Sequence, residues 1–346
     1  MVDEKASWFR GWLETSVGRV ARISTQMDFR DKLGGCGVRW GIRRMRYNVP
    51  AGLYAVGQPT PESPVLVTAN YKLSFDLLRR ELTGKDLWLL VLETFGINVW
   101  CAAGKGTFGT AELVSRVQKV QLDKLVKHRT LVLPQLGAAG VAAHQVKQAT
   151  GFKVKYGPVR AHDLTSFLSN GLKASEENRR IKFTLRDRLV LTPVELVGAW
   201  KPSLIVLLLV FIIGGLSGQE FSLQGALSWS LSPALIYLGA LLMGSLVTPI
   251  LLPWIPGRAF SLKGAQIGLL WAFALSLTLA STWTLGSIIA LFLIVPAVAA
   301  YFAMNFTGCS TFTSLSGVQK EMRIAVPVII LFIVSGGVAL VLGKFL

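Results

Sequence analysis

The chain holds three cysteines, Cys36, Cys101 and Cys309, among 346 residues. One of them lies in "FGINVWCAAGKGTFG", Phe95 to Gly109. A thiol can be a nucleophile, a metal ligand or a small buried apolar group. A phosphate-binding loop is excluded, because GxxxxGK[ST] needs glycine at position 99 and a hydroxyl residue at 106, where the chain has Val99 and Gly106. Nucleophilic catalysis needs a base, and His128, His144 and His162 fall on expected helices or helix edges with no pattern linking them to Cys101. Simple packing is the plain alternative. Against it, Asn98 is a good helix N-cap whose side chain can accept from the Cys101 N–H, and Gly104 and Gly106 should end the helix after about one turn. The expected result is a short cap presenting a thiolate, the form in which cysteine binds metals. Such a group beside a large flat cavity suits an axial ligand to a metal in a macrocycle. No histidine has Asp two residues before it, so the DxHxxG cobalamin motif is absent. No CxxC pair exists for a zinc site, an iron–sulfur cluster or a disulfide framework.

The elements that must position this cap alternate. Strands are expected at Val65–Ala69, Leu87–Leu92, Thr130–Leu133 and Phe152–Tyr156, the second a continuous apolar run as a strand buried on both faces requires. Helices are expected at Leu73–Leu82, Thr110–Lys124, Ala139–Ala149 and His162–Leu168, with one or two further strands in Ile181–Val190. Repeated βα units imply a mostly parallel, Rossmann-like sheet, with ligands beyond the carboxyl ends of its strands.

The chain changes character near residue 200. Residues 1–200 carry 30 Lys and Arg against 17 Asp and Glu, a net +13, and residues 201–346 carry 6 against 2, a net +4. A basic soluble module therefore precedes a membrane module. No apolar signal-peptide core opens the chain, and the cysteine usage suits a reducing cytoplasm. Five spans are expected, at Pro202–Leu216 (or on to Gly218), Pro233–Ile255, Leu262–Thr282, Leu285–Met304 and Ile324–Leu342. Positive loops alternate with bare ones, which places the N-terminal module on the cytoplasmic side of the cytoplasmic membrane. No charged residue lies near a span centre, which disfavours a pump or proton-coupled transporter, and so the alternative of a membrane transporter with a cytosolic regulatory domain. The organisation is a basic extension over 1–50, an α/β domain over 51–192, a linker over 193–201 and an all-α transmembrane domain over 202–346. For the basic, aromatic extension, packing or anionic lipid is preferred to nucleic acid.

The segment "NVWCAAGKGTFGT" resembles the N(V/I)WCAAGK signature of the HgcA family, corrinoid proteins of microbial mercury methylation. The likeness continues through "SPVLVTANYKLSFD", "LPQLGAAGV" and "VKYGPVRAHDL", which also resemble the corrinoid-binding domain of the corrinoid iron–sulfur protein large subunit. The resemblance implies a cobalamin-type corrinoid whose cobalt is ligated by Cys101, carrying a methyl group to Hg(II) to give methylmercury. It implies that Asn98, Val99, Trp100, Ala102, Ala103, Gly104 and Lys105 form the cap. Thr68 and Asn70, then Gln135, Leu136, Gly137 and Ala138, then Tyr156, Gly157, Pro158 and Val159 would line the cofactor. It further implies a ferredoxin-like 4Fe–4S partner (HgcB) as electron donor, and a methyl donor protein or methyl-folate pathway. A methyl carrier of one-carbon metabolism would use the same residues.

Overall fold

The computed structural model describes residues 2–216, 220–279, 283–310, 312–313 and 315–343. Two units divide between Lys182 and Phe183.

The first unit is built on one mixed sheet. Its strands are β1 (Phe9–Thr15), β2 (Gly18–Ile23), β3 (Gly52–Val56), β4 (Val65–Ala69), β5 (Leu87–Leu92), β6 (Thr130–Leu133) and β7 (Lys153–Tyr156), in the order β1-β2-β3-β5-β4-β6-β7. The β5-β4-β6-β7 half is parallel, as the alternating pattern requires. β4 and β5 are buried along their whole length, which explains their unbroken apolar runs. The other half differs from the expectation. β1 pairs antiparallel with β2, and β3 pairs antiparallel with β5. The expected N-terminal extension over 1–50 thus supplies two strands of the sheet, β1 and β2, and the helix Phe29–Arg39. These strands mix exposed charges with buried Val20, Ala21 and Ile23, so no apolar run marks them.

Helices α1 (Phe29–Arg39), α2 (Lys72–Arg80), α3 (Val99–Gly104), α4 (Thr110–Lys119), α5 (Leu122–Leu125), α6 (Ala143–Thr150) and α7 (Leu164–Ser169) complete this unit. β4 leads by α2 to β5 on one side, while β6 pairs with β4 on the other. The strand order thus reverses between β4 and β6, which run parallel but lead to opposite sides of the sheet, and a ligand crevice opens at such a point.

Among its described residues the second unit has five helices long and apolar enough to cross a membrane, at Leu185–Gly215, Leu223–Leu251, Phe260–Thr278, Leu285–Gly308 and Ser316–Leu342. The first of them, α8 (Leu185–Gly215), corrects two expectations. Residues 185–190 are helical, not strand, because Thr184 and Asp187 form a capping box that starts the helix. Residues 193–201 are helical too, so the expected linker is absent. α9 (Leu223–Leu242) passes through a π-turn (Met243–Val247) into α10 (Thr248–Leu251). Buried Arg188 and Lys263 donate to the carbonyls of Ile250, at 2.7 Å, and Leu252, at 2.5 Å, which close this broken helix. α12 (Leu285–Asn305) lies between neighbours of small residues. A Cβ added at Gly244, Gly264 or Gly268 would fall 2.4–2.8 Å from atoms of Ala299, the close approach that small residues allow between membrane helices. α11 (Phe260–Leu279) and α13 (Leu315–Leu342) complete the unit. Residues 280–282, the end of the expected third span, Gly218 and the side chain of Cys309 lie outside the described residues.

Candidate functional site

The cap forms as its residues dictate. Asn98 is extended at φ −65° and ψ 160°, and its Oδ1 accepts from the Cys101 N–H at 2.9 Å. α3 runs six residues, and Gly106 turns away at φ +80°.

What holds the cap is the turn before it. Phe95 and Gly96 both have positive φ, +56° and +70°, which for a phenylalanine costs about 1–2 kcal/mol. Asn70, buried at the end of β4, stabilises that conformation. Its Oδ1 accepts from the Thr94 N–H at 3.1 Å, the Thr94 hydroxyl at 2.8 Å and the Gly96 N–H at 3.0 Å. Its Nδ2 donates to Glu93 at 2.5 Å, and the same carboxylate oxygen accepts from the Phe95 N–H at 2.9 Å. Strained backbone persists where surrounding bonds over-determine it.

A cavity of about 510 Å³ opens at the carboxyl ends of β4, β6 and β7, within the usual size of a ligand site. Its walls come from the strand ends (Thr68, Leu133), the cap (Asn98, Val99, Trp100), the loops after β6 and β7 (Pro134, Leu136, and Gly157 to His162) and the α2 face. Of the residues expected there, Thr68, Asn98, Val99, Trp100, Leu136, Gly157, Pro158 and Val159 line it.

The others play different parts. Cys101 is half-buried and follows directly on three lining residues without itself lining the cavity. Ala102 and Ala103 point into the core. Gly140 packs against the same turn, where a Cβ would meet the Ala103 Cα at 3.0 Å. Gly104 and Lys105 are exposed. Gly137 lets Phe108 pack, a Cβ there falling 2.5 Å from its ring. Ala138 is half-buried beside it. Tyr156 donates its hydroxyl to the Val141 carbonyl at 2.6 Å, bracing the loop, and burial pushes its pKa up. Gln135 Oε1 is buried without a hydrogen-bond partner.

Sequence reasoning missed the α2 wall of Ser74, Leu77, Leu78 and Glu81. Their spacing of three, four and seven from Ser74 marks one helical face, and the mixture of polar ends with leucines was the available sign. It also missed the lining role of His162, whose Nε2 is 3.3 Å from Asp163. Arg80 and Glu81 pair at 2.6 Å on the rim.

Residues 43–168 match the family described as CO dehydrogenase/acetyl-CoA synthase delta subunit. The chain is 38% identical over 133 residues to the acetyl-CoA decarbonylase/synthase complex subunit gamma of Methanopyrus kandleri, covering 37% of this chain and 28% of that protein. It is 30% identical over 135 residues to the same subunit of Archaeoglobus fulgidus, covering 38% and 28%. It is 30% identical over 117 residues to the corrinoid/iron-sulfur protein large subunit of Moorella thermoacetica, covering 33% and 26%. The chain thus spans under a third of these relatives' length. The matched stretch contains β3 to α7, and so the cap and the cavity.

Proposed function

We propose that the sheet-bearing unit holds a corrinoid at this cavity, with the Cys101 sulfur as lower axial ligand of the cobalt, and delivers a methyl group to Hg(II). The observation that carries the reading is the Asn98-capped turn. It sets Cys101 next to three residues lining the switch-point cavity, within residues 43–168, which match the CO dehydrogenase/acetyl-CoA synthase delta subunit family. The residues suit a corrinoid. The walls are mostly Leu, Val and Pro, for a broad apolar ring.

A bound corrinoid supplies a cobalt able to take up and give up a methyl group. The chain's own residues do the rest. Cys101 is a soft donor suited to a thiophilic reaction. Asn98 fixes the turn that carries it, and Trp100, 39% exposed on the cavity wall, shields the site from water. The +13 module of residues 1–200 suits an acidic electron donor, here a ferredoxin-like 4Fe–4S protein such as HgcB. The methyl group would come from a donor protein or methyl-folate. The five apolar helices would set the protein in the cytoplasmic membrane with the sheet-bearing unit inside.

The visible spectrum of the purified full-length protein tests the cofactor and its ligation. A corrinoid spectrum is expected, altered in Cys101→Ala together with loss of Hg(II) methylation. An unchanged spectrum with full activity in that variant would refute the axial role, and a colourless wild type the cofactor. The acetyl-CoA decarbonylase/synthase relatives favour a second reading, a methyl carrier in one-carbon metabolism. Methyl-loaded protein offered Hg(II) or an organic thiol separates the two by the product formed.

A further inference from the structure

Helix α1 turns its charge inward and its apolar residues outward. Asp31, Gly35 and Val38 are its buried residues. On the opposite side Phe29, Leu33, Cys36 and Trp40 fall within an arc of about 60° at 100° per residue. Phe29 is 76% exposed, Leu33 61% and Trp40 52%, and Cys36 is exposed between them. Exposed Ile42 and Met45 prolong the stripe beyond the helix. Single exposed apolar residues need no explanation, but a contiguous stripe marks an interaction surface.

The helix is fixed in this orientation. Buried Asp31 accepts from Arg79 at 2.5 Å, Lys72 at 2.7 Å and the Ser7 hydroxyl at 2.6 Å. Asp28 and Asp31 form a capping box at its start. Gly34 lies against Tyr47, where a Cβ would fall 2.4 Å from the hydroxyl. Rolling the helix to hide Phe29 and Trp40 would expose this network and strand its charges.

Cations border the stripe. Lys32 and Arg39 lie on one flank and Arg30 on the other, and Arg43, Arg44 and Arg46 follow in the next turn. The one aspartate of residues 29–46, Asp31, is buried in the fold, and Asp28 just before them is exposed and caps the helix. Phe, Leu and Trp on one side, bordered by Lys and Arg, is the composition of a helix lying in a bilayer interface.

We infer that residues 29–46 lie on the surface of a bilayer rich in anionic phospholipid, the apolar stripe in the acyl boundary and the arginines among the phosphates. Two facts select lipid over protein. Leu185 begins a series of helices long and apolar enough to cross a membrane, so the bilayer is joined to this unit by the chain itself, at high effective concentration. The available charge is of one sign, opposite to that of the lipid. This surface is independent of what the cavity holds.

The test places an environment-sensitive dye on Cys36 in a Cys101→Ser, Cys309→Ala background of the full-length chain, reconstituted in vesicles whose lipid chains carry bromine. With phosphatidylglycerol present the dye should be quenched at least about twofold, as insertion to the acyl boundary requires. Vesicles of phosphatidylcholine alone, or the combined Arg43→Glu, Arg44→Glu and Arg46→Glu variant, should lose most of the quenching. Equal emission with and without bromine in anionic vesicles overturns the inference. Quenching that survives both changes removes the arginines from it. Shielding that appears only when a soluble cysteine-rich protein is added assigns the face to protein instead.

Discussion

Asn70 touches neither Cys101 nor the cavity, yet it sets the turn that carries both. Its carbonyl oxygen takes three donors from Thr94 and Gly96, and its amide ties down Glu93. Asn70→Ala should leave buried N–H groups unpaired, at about 1–3 kcal/mol each, and let Phe95 leave its strained conformation. The expected outcome is a corrinoid taken up more weakly, with altered axial ligation, in a protein whose sheet still folds. Titration of corrinoid into the purified variant, read by visible absorbance, checks it, and wild-type affinity and spectrum would refute it. This role was not legible in the sequence. Its hydrogen bonds join positions 23 to 26 residues apart, and such bonds leave no spacing signature. The Asn98 cap was legible because its bond spans three residues and N-cap preferences are local. Ala102 and Ala103 show the converse error. Small residues beside a reactive cysteine resemble room for a ligand, whereas the room is taken by the protein's own Gly137–Gly140 loop.

Among the elements, the parallel strands were legible because burial on both faces writes an apolar run into the sequence. β1 and β2 were not, since their exposed positions carry charge and their partners had to be known first. The first two turns of α8 were misread as strand, although its Thr184–Asp187 capping box was visible in the sequence. α1 holds three glycines in eleven residues, a composition about 1 kcal/mol per glycine less favourable to helix than alanine. Tertiary charge pairing offsets this. Burial alone would raise the Asp31 pKa, but hydrogen bonds from Lys72 and Ser7 and the charges of Arg79 and Lys72 outweigh it, holding the carboxyl well below the usual carboxylate range. Because the folded value lies below the unfolded one of about 3.9, the stabilisation is fully present above that pH and is lost as pH falls below it. The protection of the α1 amides against hydrogen exchange, taken relative to the unfolded amide at each pH, should therefore fall in acid for the wild type. In Asp31→Asn it should be low already at neutral pH and change less on acidification. Equal acid sensitivity in the two proteins would show that Asp31 does not anchor the helix. Arg79→Ala, which leaves Asp31 and Asp76 buried with one cation between them, should destabilise the unit by about 3–5 kcal/mol, measurable as a lowered denaturant midpoint.

At the scale of the whole molecule, the composition change near residue 200 marks the entry of the chain into apolar surroundings and not the end of a unit. At 1.5 Å per residue α8 is about 46 Å long, well beyond the roughly 30 Å a bilayer core requires, so its charged first turns can stand in water while the helix continues. The sheet-bearing unit has its own core and its own cavity, both complete within Met1–Lys182. A chain ending at Lys182 should therefore fold and take up corrinoid. A folded product that takes up none would mean that the C-terminal helices help to build the site. Electrons set a second requirement on the whole chain. In the proposed reaction, a methyl group leaving for Hg(II) with its bonding pair would leave the protein two electrons short. Three cysteines spread over positions 36, 101 and 309 cannot supply the four thiolates of an iron–sulfur cluster, so the electrons must arrive from outside. Purified methyl-loaded protein should transfer one methyl group to Hg(II) and then stop. Adding a low-potential cysteine-rich electron carrier should restart it, with the rate falling as salt screens attraction to the basic unit. Product formation beyond one equivalent with neither carrier nor reductant present would refute the scheme.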